Sequence, residues 1–462
     1  MAKSNTVYVC QECGYESPKW LGRCICGAWN SMIEEKVDLE PAKDPRARSS
    51  ASGTGKAAKP SVLKKVGSAD YERIGTGIGE LDRVLGGGLV KGSLTLISGE
   101  PGIGKSTLIV QAASNIAKSC GKVLYVSGEE SEEQIKMRAD RVCPGMTDDL
   151  FVMSETNMEN IESTVEQMDP GFLIIDSIQT MYTSDLDSAP GSVSQVRACG
   201  TVLMKLGKTK NIPVFIVAHV TKSGELAGPR IVEHLVDCVL SFTGERDHEI
   251  RILRAYKNRF GTTSEIGAFR MEEEGLVEIT DLSGSFLENT EESTEGSVIT
   301  AVYEGSRPVM LEVQALTSTT NVGFARRTAV GIDSQRLAMI LAVIEKKLGM
   351  KLIDQDVYVN VVGGLKPDST SVDLGVALAV YSSLRGTVPK SRVIAVGEVG
   401  LTGDLRSVSN ADKIALEAEK LGYEEIIMPQ RNAARLAKGG PSKIRITGVK
   451  NIYAAVKAFK GE

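Results

Sequence analysis

A chain of 462 residues allows about three domains at ~150 residues each, and its 42% hydrophobic and 24% charged residues exclude collagen-like and wholly disordered proteins. Aromatics are sparse at 5% while glycines number 47, a balance that suits loop-rich α/β folds better than aromatic-packed β-sandwiches. The net charge of −5 confines any nucleic-acid surface to a local patch, and no apolar run approaches the ~18 residues of a transmembrane helix.

The opening MAKSNTVYVCQECGYES lacks the apolar core of a secretory signal, so a cytoplasmic location away from membranes is expected. Eight cysteines are too dilute for a disulfide scaffold. Four of them, Cys10, Cys13, Cys24 and Cys26, crowd residues 1–40, a segment without a hydrophobic core of its own. Four thiolates in a reducing compartment favour a structural tetrahedral Zn²⁺. Only Ile25 separates the second pair. A two-residue knuckle lets backbone N–H groups bond the sulfurs, so this shortened pair is expected to be strained, and a degraded site with labile thiols is the alternative. Cys120, Cys143, Cys199 and Cys238 are scattered and read as buried small apolar residues.

Residues 41–66 show no apolar periodicity and carry seven Lys or Arg against one Asp, the composition of a basic flexible linker. From 67 to 283 short apolar runs (SLTLISG, KVLYVSG, GFLIIDS, IPVFIVAH, DCVLSFTG, EIRILRAYKNRF) alternate with amphipathic stretches such as STLIVQAASNIAKSC. Continuous apolar strands separated by helices predict an α/β domain whose mainly parallel sheet has helices on both faces. Residues 284–296 are acidic and polar, as a surface connection would be. Residues 297–462 predict an α+β domain. Its expected strands are SVITAVYEG, VMLEVQAL, VYVNVVGG and RVIAVGEVG, and its expected helices lie in SVDLGVALAVYSSLRG, NADKIALEAEKLG and NIYAAVKAFK.

The strongest chemical signal is GEPGIGKST, comprising Gly99, Glu100, Pro101, Gly102, Ile103, Gly104, Lys105, Ser106 and Thr107. It fits G-x-x-x-x-G-K-[ST] between a predicted strand and a predicted helix, the setting a phosphate loop requires. The glycines turn backbone N–H groups towards phosphate, Lys105 reaches the β- and γ-phosphates, and the Ser106 hydroxyl ligates Mg²⁺. The expected nucleotide is ATP or a close relative. Asp176 ends the strand FLIIDS, placed to hold Mg²⁺ through water. Glu129 and Glu130 end another strand. Neighbours in an extended segment point oppositely, so one of them acts as general base, and Glu129 is favoured over a solvated acidic turn.

His219 closes VFIVAH, as a γ-phosphate sensor or a simple strand-end cap. Lys257 and Arg259 end a late strand in AYKNRFG. One phosphate site rarely needs two further cations from its own chain, so they suit an arginine finger and its companion reaching a neighbouring subunit's ATP. An exposed basic strand end is the plainer reading.

The ordered set GTGIGELDRVLGGGLVKGSLTLISGEPGIGKST, YVSGEES, IIDSIQT, HVTKSGELAGPRIVEHLVD and KNRFG, behind a Cys-rich start, resembles the bacterial RadA/Sms family of RecA-type ATPases over essentially the whole chain. The resemblance implies a RecA-like phosphate-loop core and a hexameric ring of identical subunits. It also implies DNA-dependent ATP hydrolysis in homologous recombination and DNA break repair, and branch migration on single-stranded and branched DNA alongside the RecA recombinase. It places DNA loops in SDLDSAPGSVSQVRACG and TKSGELAGPR, with Lys222 and Arg230 as phosphate contacts and Arg197 as a weaker candidate that a packing helix would equally explain. The family pattern has two residues within the second Cys pair, where this chain has one.

The C-terminal domain resembles the proteolytic domain of Lon. VVGGLKPDSTSVDLGVALAV parallels the segment of Lon's nucleophilic serine, and GEVGLTGDLRSVSNADK that of its lysine. Ser371 falls at the nucleophile position, where this repair family usually has Ala. Asp412 falls at the lysine position, with Lys413 next and rotated about 100° along a helix. A serine without its base is a poor nucleophile, so the domain reads as scaffold and DNA-binding surface. The competing readings are a Lon-type ATP-dependent protease or unfoldase, which the missing lysine opposes, and a RecA-type signalling ATPase like the clock protein KaiC, which the zinc segment and basic linker oppose.

Overall fold

The computed structural model describes residues 5–10, 15–25, 27–37, 72–219, 230–244, 249–287, 294–320, 324–363, 365–367, 369–389, 392–437, 439, 441 and 443–462. No helix among the described residues is long and apolar enough to cross a membrane. The N-terminal segment is a three-stranded antiparallel sheet of Glu16–Ser17, Asn5–Cys10 and Met32–Val37, in that order. The chain divides into two units, one formed by residues up to 243, this sheet included, with 253–263 and 271–277, the other by 244–252, 264–270 and 278–462.

A nine-stranded sheet has most of its strands in the first unit. Its strands are β1 (Leu94–Gly99), β2 (Val123–Ser127), β3 (Leu150–Ser154), β4 (Phe172–Asp176), β5 (Val214–His219), β6 (Cys238–Thr243), β7 (Ile250–Asn258), β8 (Ile266–Glu272) and β9 (Gly275–Glu278). The order β9-β8-β7-β6-β1-β5-β4-β2-β3 is parallel from β6 through to β3. Every residue of β1, β2 and β4 is buried, which their unbroken apolar runs require of strands covered on both faces. Leu124, Val126, Leu173 and Ile175 pack on one face with α3 (Met158–Met168) and α4 (Val193–Lys210). Helices α1 (Lys105–Cys120) and α2 (Glu132–Val142) lie on the side of Tyr125.

The strand β3 and the pair β8 and β9 are additions to the sequence expectation. Edge strand β3 is at most half-buried although four of its five residues, LFVMS, are apolar. Of the scattered cysteines, Cys143, Cys199 and Cys238 are buried, but Cys120 is exposed. It ends α1 at Gly121, whose φ of 84° breaks the helix at the surface, so the apolar reading of Cys120 is wrong.

The second unit is built on a seven-stranded mixed sheet. Its strands are β10 (Ser297–Glu304), β11 (Arg307–Thr319), β12 (Arg327–Val330), β13 (Gln355–Val361), β14 (Val393–Ala395), β15 (Glu425–Pro429) and β16 (Arg445–Val449), ordered β12-β13-β11-β10-β14-β15-β16. Strand alternation sends Val298 and Val302 of β10 into one core with α5 (Ser334–Leu348) and α6 (Asp373–Arg385), and Ile299 and Ala301 into another with α7 (Ala411–Lys420).

Helix α5 is absent from the sequence expectation although it carries buried residues at helical spacing, Leu337, Ile340, Leu341 and Ile344. RVIAVGEVG splits. Its first part is β14, while Glu398–Val399 pairs separately with Leu405–Arg406. The acidic stretch expected as a surface connection begins as the end of a short helix, Leu282–Leu287, with Phe286 buried in this unit's core.

Candidate active site and nucleic-acid interface

The register of the parallel strands brings the functional ends together. His219 of β5 lies opposite Gly99 of β1, and Asp176 of β4 opposite Ser127 of β2. The loops after four strands therefore open on one edge, where open α/β sheets bind ligands. Gly99–Thr107 leaves β1 there and turns into α1. Gly104 is the N-cap with φ 113°, a left-handed conformation that demands glycine, while the Met271 Cε that a Cβ there would meet at 2.7 Å is the tip of a flexible side chain. Gly102 is likewise left-handed at φ 81°.

Lys105 is buried, and its Nζ donates to the carbonyls of Gly99 at 2.8 Å and Glu100 at 2.9 Å. Burial lowers its ammonium to about 8, while Asp176 and Glu129 pull the other way. A buried ammonium held only by two carbonyls beside two carboxylates is a cation waiting for an anion. The residues around it fit a nucleotide's phosphates, with Ser106 on the first turn of α1.

The candidate carboxylates separate by partner. Asp176 is 7% exposed and accepts from the Tyr125 hydroxyl at 2.5 Å. Burial, then Asp176 itself, push that phenol well above 10.0, so it remains a donor at all ordinary pH. Glu129 Oε1 accepts from the buried Ser177 hydroxyl at 2.5 Å and lies 3.3 Å from His219 Nε2, while the carboxylate stays partly open to solvent. Glu130 points away and is ion-paired with Arg138 of α2. The geometry therefore groups Lys105, Asp176, Glu129 and His219, and leaves Glu130 engaged elsewhere. Sequence reasoning missed Tyr125, Ser177 and Arg138, because each acts through a contact between different segments.

Lys257 and Arg259 do not join this group. Lys257 Nζ donates to the Glu233 carbonyl at 2.7 Å, and Arg259 Nη1 to Asp237 Oδ1 at 3.0 Å. The other Asp237 oxygen accepts from the Leu94 N–H, at the start of β1. Five residue steps of β1 separate Leu94 from Gly99, about 16 Å at ~3.3 Å each. Both cations thus sit at the edge of the sheet opposite their own phosphate loop.

Three family models match the chain. One described as an AAA domain covers residues 58–225, one described as the rubredoxin metal binding domain covers 8–34, and one described as subunit ChlI of Mg-chelatase covers 311–432. The DNA repair protein RadA of Bacillus subtilis is 50% identical across 100% of both chains. RadA of Halalkalibacterium halodurans is 48% identical across 100% of both, and that of Listeria monocytogenes 47% identical across 99% of this chain and 98% of its own. The chain belongs to the RadA family. Its central unit is accordingly an ATPase domain with the mainly parallel, RecA-like design, preceded by a zinc-ribbon-type segment and followed by a ChlI- and Lon-like domain.

Other residues expected to matter in this RadA-family chain are distributed as follows. Arg197 is exposed on α4, whose Val196, Cys199 and Leu203 are buried, so the helix packs while Arg197 faces solvent. The preceding turn is tied down by Gln195, whose amide donates to the carbonyls of Thr183, Leu186 and Ser188. Arg230 opens a short helix, Arg230–Leu235. Lys222 lies outside the described residues. So do Cys13 and Cys26, whereas Cys10 and Cys24 are buried together against Met32.

Among the described residues, the Lon-like domain of this RadA-family chain holds no catalytic pair at Ser371. Its hydroxyl is buried, donates to the Ala301 carbonyl at 2.9 Å and accepts from Ser369 Oγ at 3.1 Å. Lys413 Nζ instead donates to the Tyr303 hydroxyl at 2.6 Å, and Asp412 is exposed. Among the described residues no amine reaches the serine, so none of them can take its proton. Ser371→Ala should leave ATP turnover unchanged, and an unfolded protein substrate should survive incubation with ATP. Proteolysis lost specifically in Ser371→Ala would reverse this assignment.

Proposed function

We propose that this RadA-family chain is a DNA-dependent ATPase motor that processes recombination intermediates and promotes branch migration alongside RecA, working on single-stranded and branched DNA as a homo-hexameric ring. DNA repair is the role named for its relatives. The observation that carries the DNA dependence is the Glu129–His219 pair. His219 is the last residue of β5, and the segment that follows it contains Lys222 and leads to Arg230. DNA phosphates held by Lys222, Arg230 and Arg197 would move the end of β5, and with it the imidazole beside the base. Glu129 then orients water towards the γ-phosphate, with Lys105 neutralising the charge that develops on the phosphates. Ser106 and Asp176 would hold Mg²⁺, which supplies further neutralisation of that charge.

Cys10, Cys13, Cys24 and Cys26 would hold a structural Zn²⁺. The fit rests on Cys10 and Cys24, buried in a cluster completed among the described residues by Met32, Tyr8 and Leu21. That cluster is too small to stabilise three strands alone, and a metal cross-link supplies the difference.

The deciding experiment is the ATPase rate with and without single-stranded DNA. Turnover should rise several-fold with DNA, and that stimulation should be lost at sub-saturating DNA as salt is raised from 50 to 200 mM, since phosphate contacts release counterions and six of them weaken single-strand binding about 300-fold over that range. A rate indifferent to DNA refutes the motor reading. Strong base-sequence preference surviving high salt refutes the phosphate-contact reading.

A further inference from the structure

We propose that Tyr125 is a positioning residue for magnesium, its hydroxyl fixing the Asp176 carboxylate in the orientation that the ATP site uses. The inference rests on the reading of Asp176 as the acid that holds Mg²⁺ through water. Tyr125 lies opposite Ile174 in the β2–β4 register, two residues short of Asp176, so phenol and carboxylate emerge on the same face of neighbouring strands. Tyr125 is 1% exposed and Asp176 7%, and the hydroxyl donates to Oδ2 at 2.5 Å.

The ring itself needs no hydroxyl. It lines a cavity of about 590 Å³ whose apolar members Val110, Ala113, Ile135 and Ala139 a phenylalanine ring would meet equally well, with Glu132, Lys136 and Asp148 also on its wall. What tyrosine adds is one hydrogen bond aimed at one carboxylate oxygen. A carboxylate's terminal torsion is broad and nearly two-fold, so an unrestrained Asp176 would present either oxygen in a range of orientations. With Oδ2 engaged by the phenol, Oδ1 is the oxygen left for a metal-bound water. Partners that orient a metal-binding group in this way are worth about 10–100-fold in metal affinity or activity.

The test compares Tyr125→Phe with the parent by titrating Mg²⁺ against binding of a fluorescent, slowly hydrolysed ATP analogue to the full chain. Half-saturating Mg²⁺ should rise about tenfold, while analogue affinity in EDTA and the thermal midpoint stay close to the parent's. In an Asp176→Asn background the same substitution should add less than twofold, because the hydroxyl acts through that carboxylate. Half-saturating Mg²⁺ within twofold of the parent, a lowered value, or an undiminished shift in the Asp176→Asn background overturns the proposal. Should Tyr125→Phe be unstable, Asp176→Asn and Asp176→Asn/Tyr125→Trp replace it, and different Mg²⁺ dependence between those two overturns the proposal. A parent that binds the analogue with no dependence on Mg²⁺ or Lys105 refutes the ATP-site reading itself, a result distinct from either.

Discussion

Lys105→Ala should abolish ATP hydrolysis, lowering turnover by at least ~10²–10³-fold, the loss expected when one preorganised electrostatic donor is removed from a developing negative charge. Lys105 reaches the site from the first turn of α1 and is already stripped of water there, so no other side chain of the loop can replace it. The same burial predicts a pH dependence. In the nucleotide-free protein the ammonium loses its proton near pH 8 rather than near 10.5. Phosphate favours the charged form, so above pH 8 binding must recapture a proton, and ATP affinity should weaken as pH rises through that value. Isothermal titration in two buffers of different ionisation enthalpy at pH 9 would detect the uptake.

Glu129→Gln should retain ATP and lose turnover by ~10²–10⁴-fold, since the amide keeps the acceptor for Ser177 and removes the base. Glu130→Gln breaks an ion pair with Arg138 and should be far milder. The choice of base is wrong if Glu129→Gln hydrolyses ATP at the parental rate while Glu130→Gln does not.

The difference between these two glutamates marks how far sequence reasoning reaches. Residue type and spacing suffice for Gly99–Thr107, because a strand, a glycine turn and a helix follow one another without a break. They also suffice for Asp176 and His219, because an apolar run that ends in a polar residue places it at a strand end. Alternation alone says that Glu129 and Glu130 diverge. What each meets depends on β4 and β5 for Glu129, and on α2 for Glu130, elements that sequence distance does not order. Tyr125 reads in sequence as an apolar strand position, and only the parallel pairing of β2 with β4 turns its hydroxyl into a partner for Asp176. In the second unit the Ser371 position is legible from the motif. The carbonyl of Ala301 that accepts its hydrogen bond comes from β10, seventy residues away.

Mixing Lys105→Ala subunits with Arg259→Ala subunits should restore ATPase activity that neither variant has alone. Lys257 and Arg259 stand about 16 Å of strand away from their own phosphate loop, at the opposite edge of the sheet. Arg259 is 54% exposed, and Asp237 holds it through one nitrogen, leaving most of its guanidinium free to face outward. A head-to-tail ring presents one such edge to the next subunit's loop. A mixed interface with Lys105 intact on one side and Arg259 intact on the other is then a complete site. In a random equal mixture about one interface in four has that composition, so recovery should approach a quarter of the parental rate if sites act independently, and less if they fire in concert. Lys257→Ala should complement Lys105→Ala in the same way. Subunit exchange, followed by fluorescence energy transfer between labelled variants, must accompany the assay. If rings exchange freely and no activity returns at any ratio, the two cations serve their own chain, and Asp237 is holding them in place for the fold.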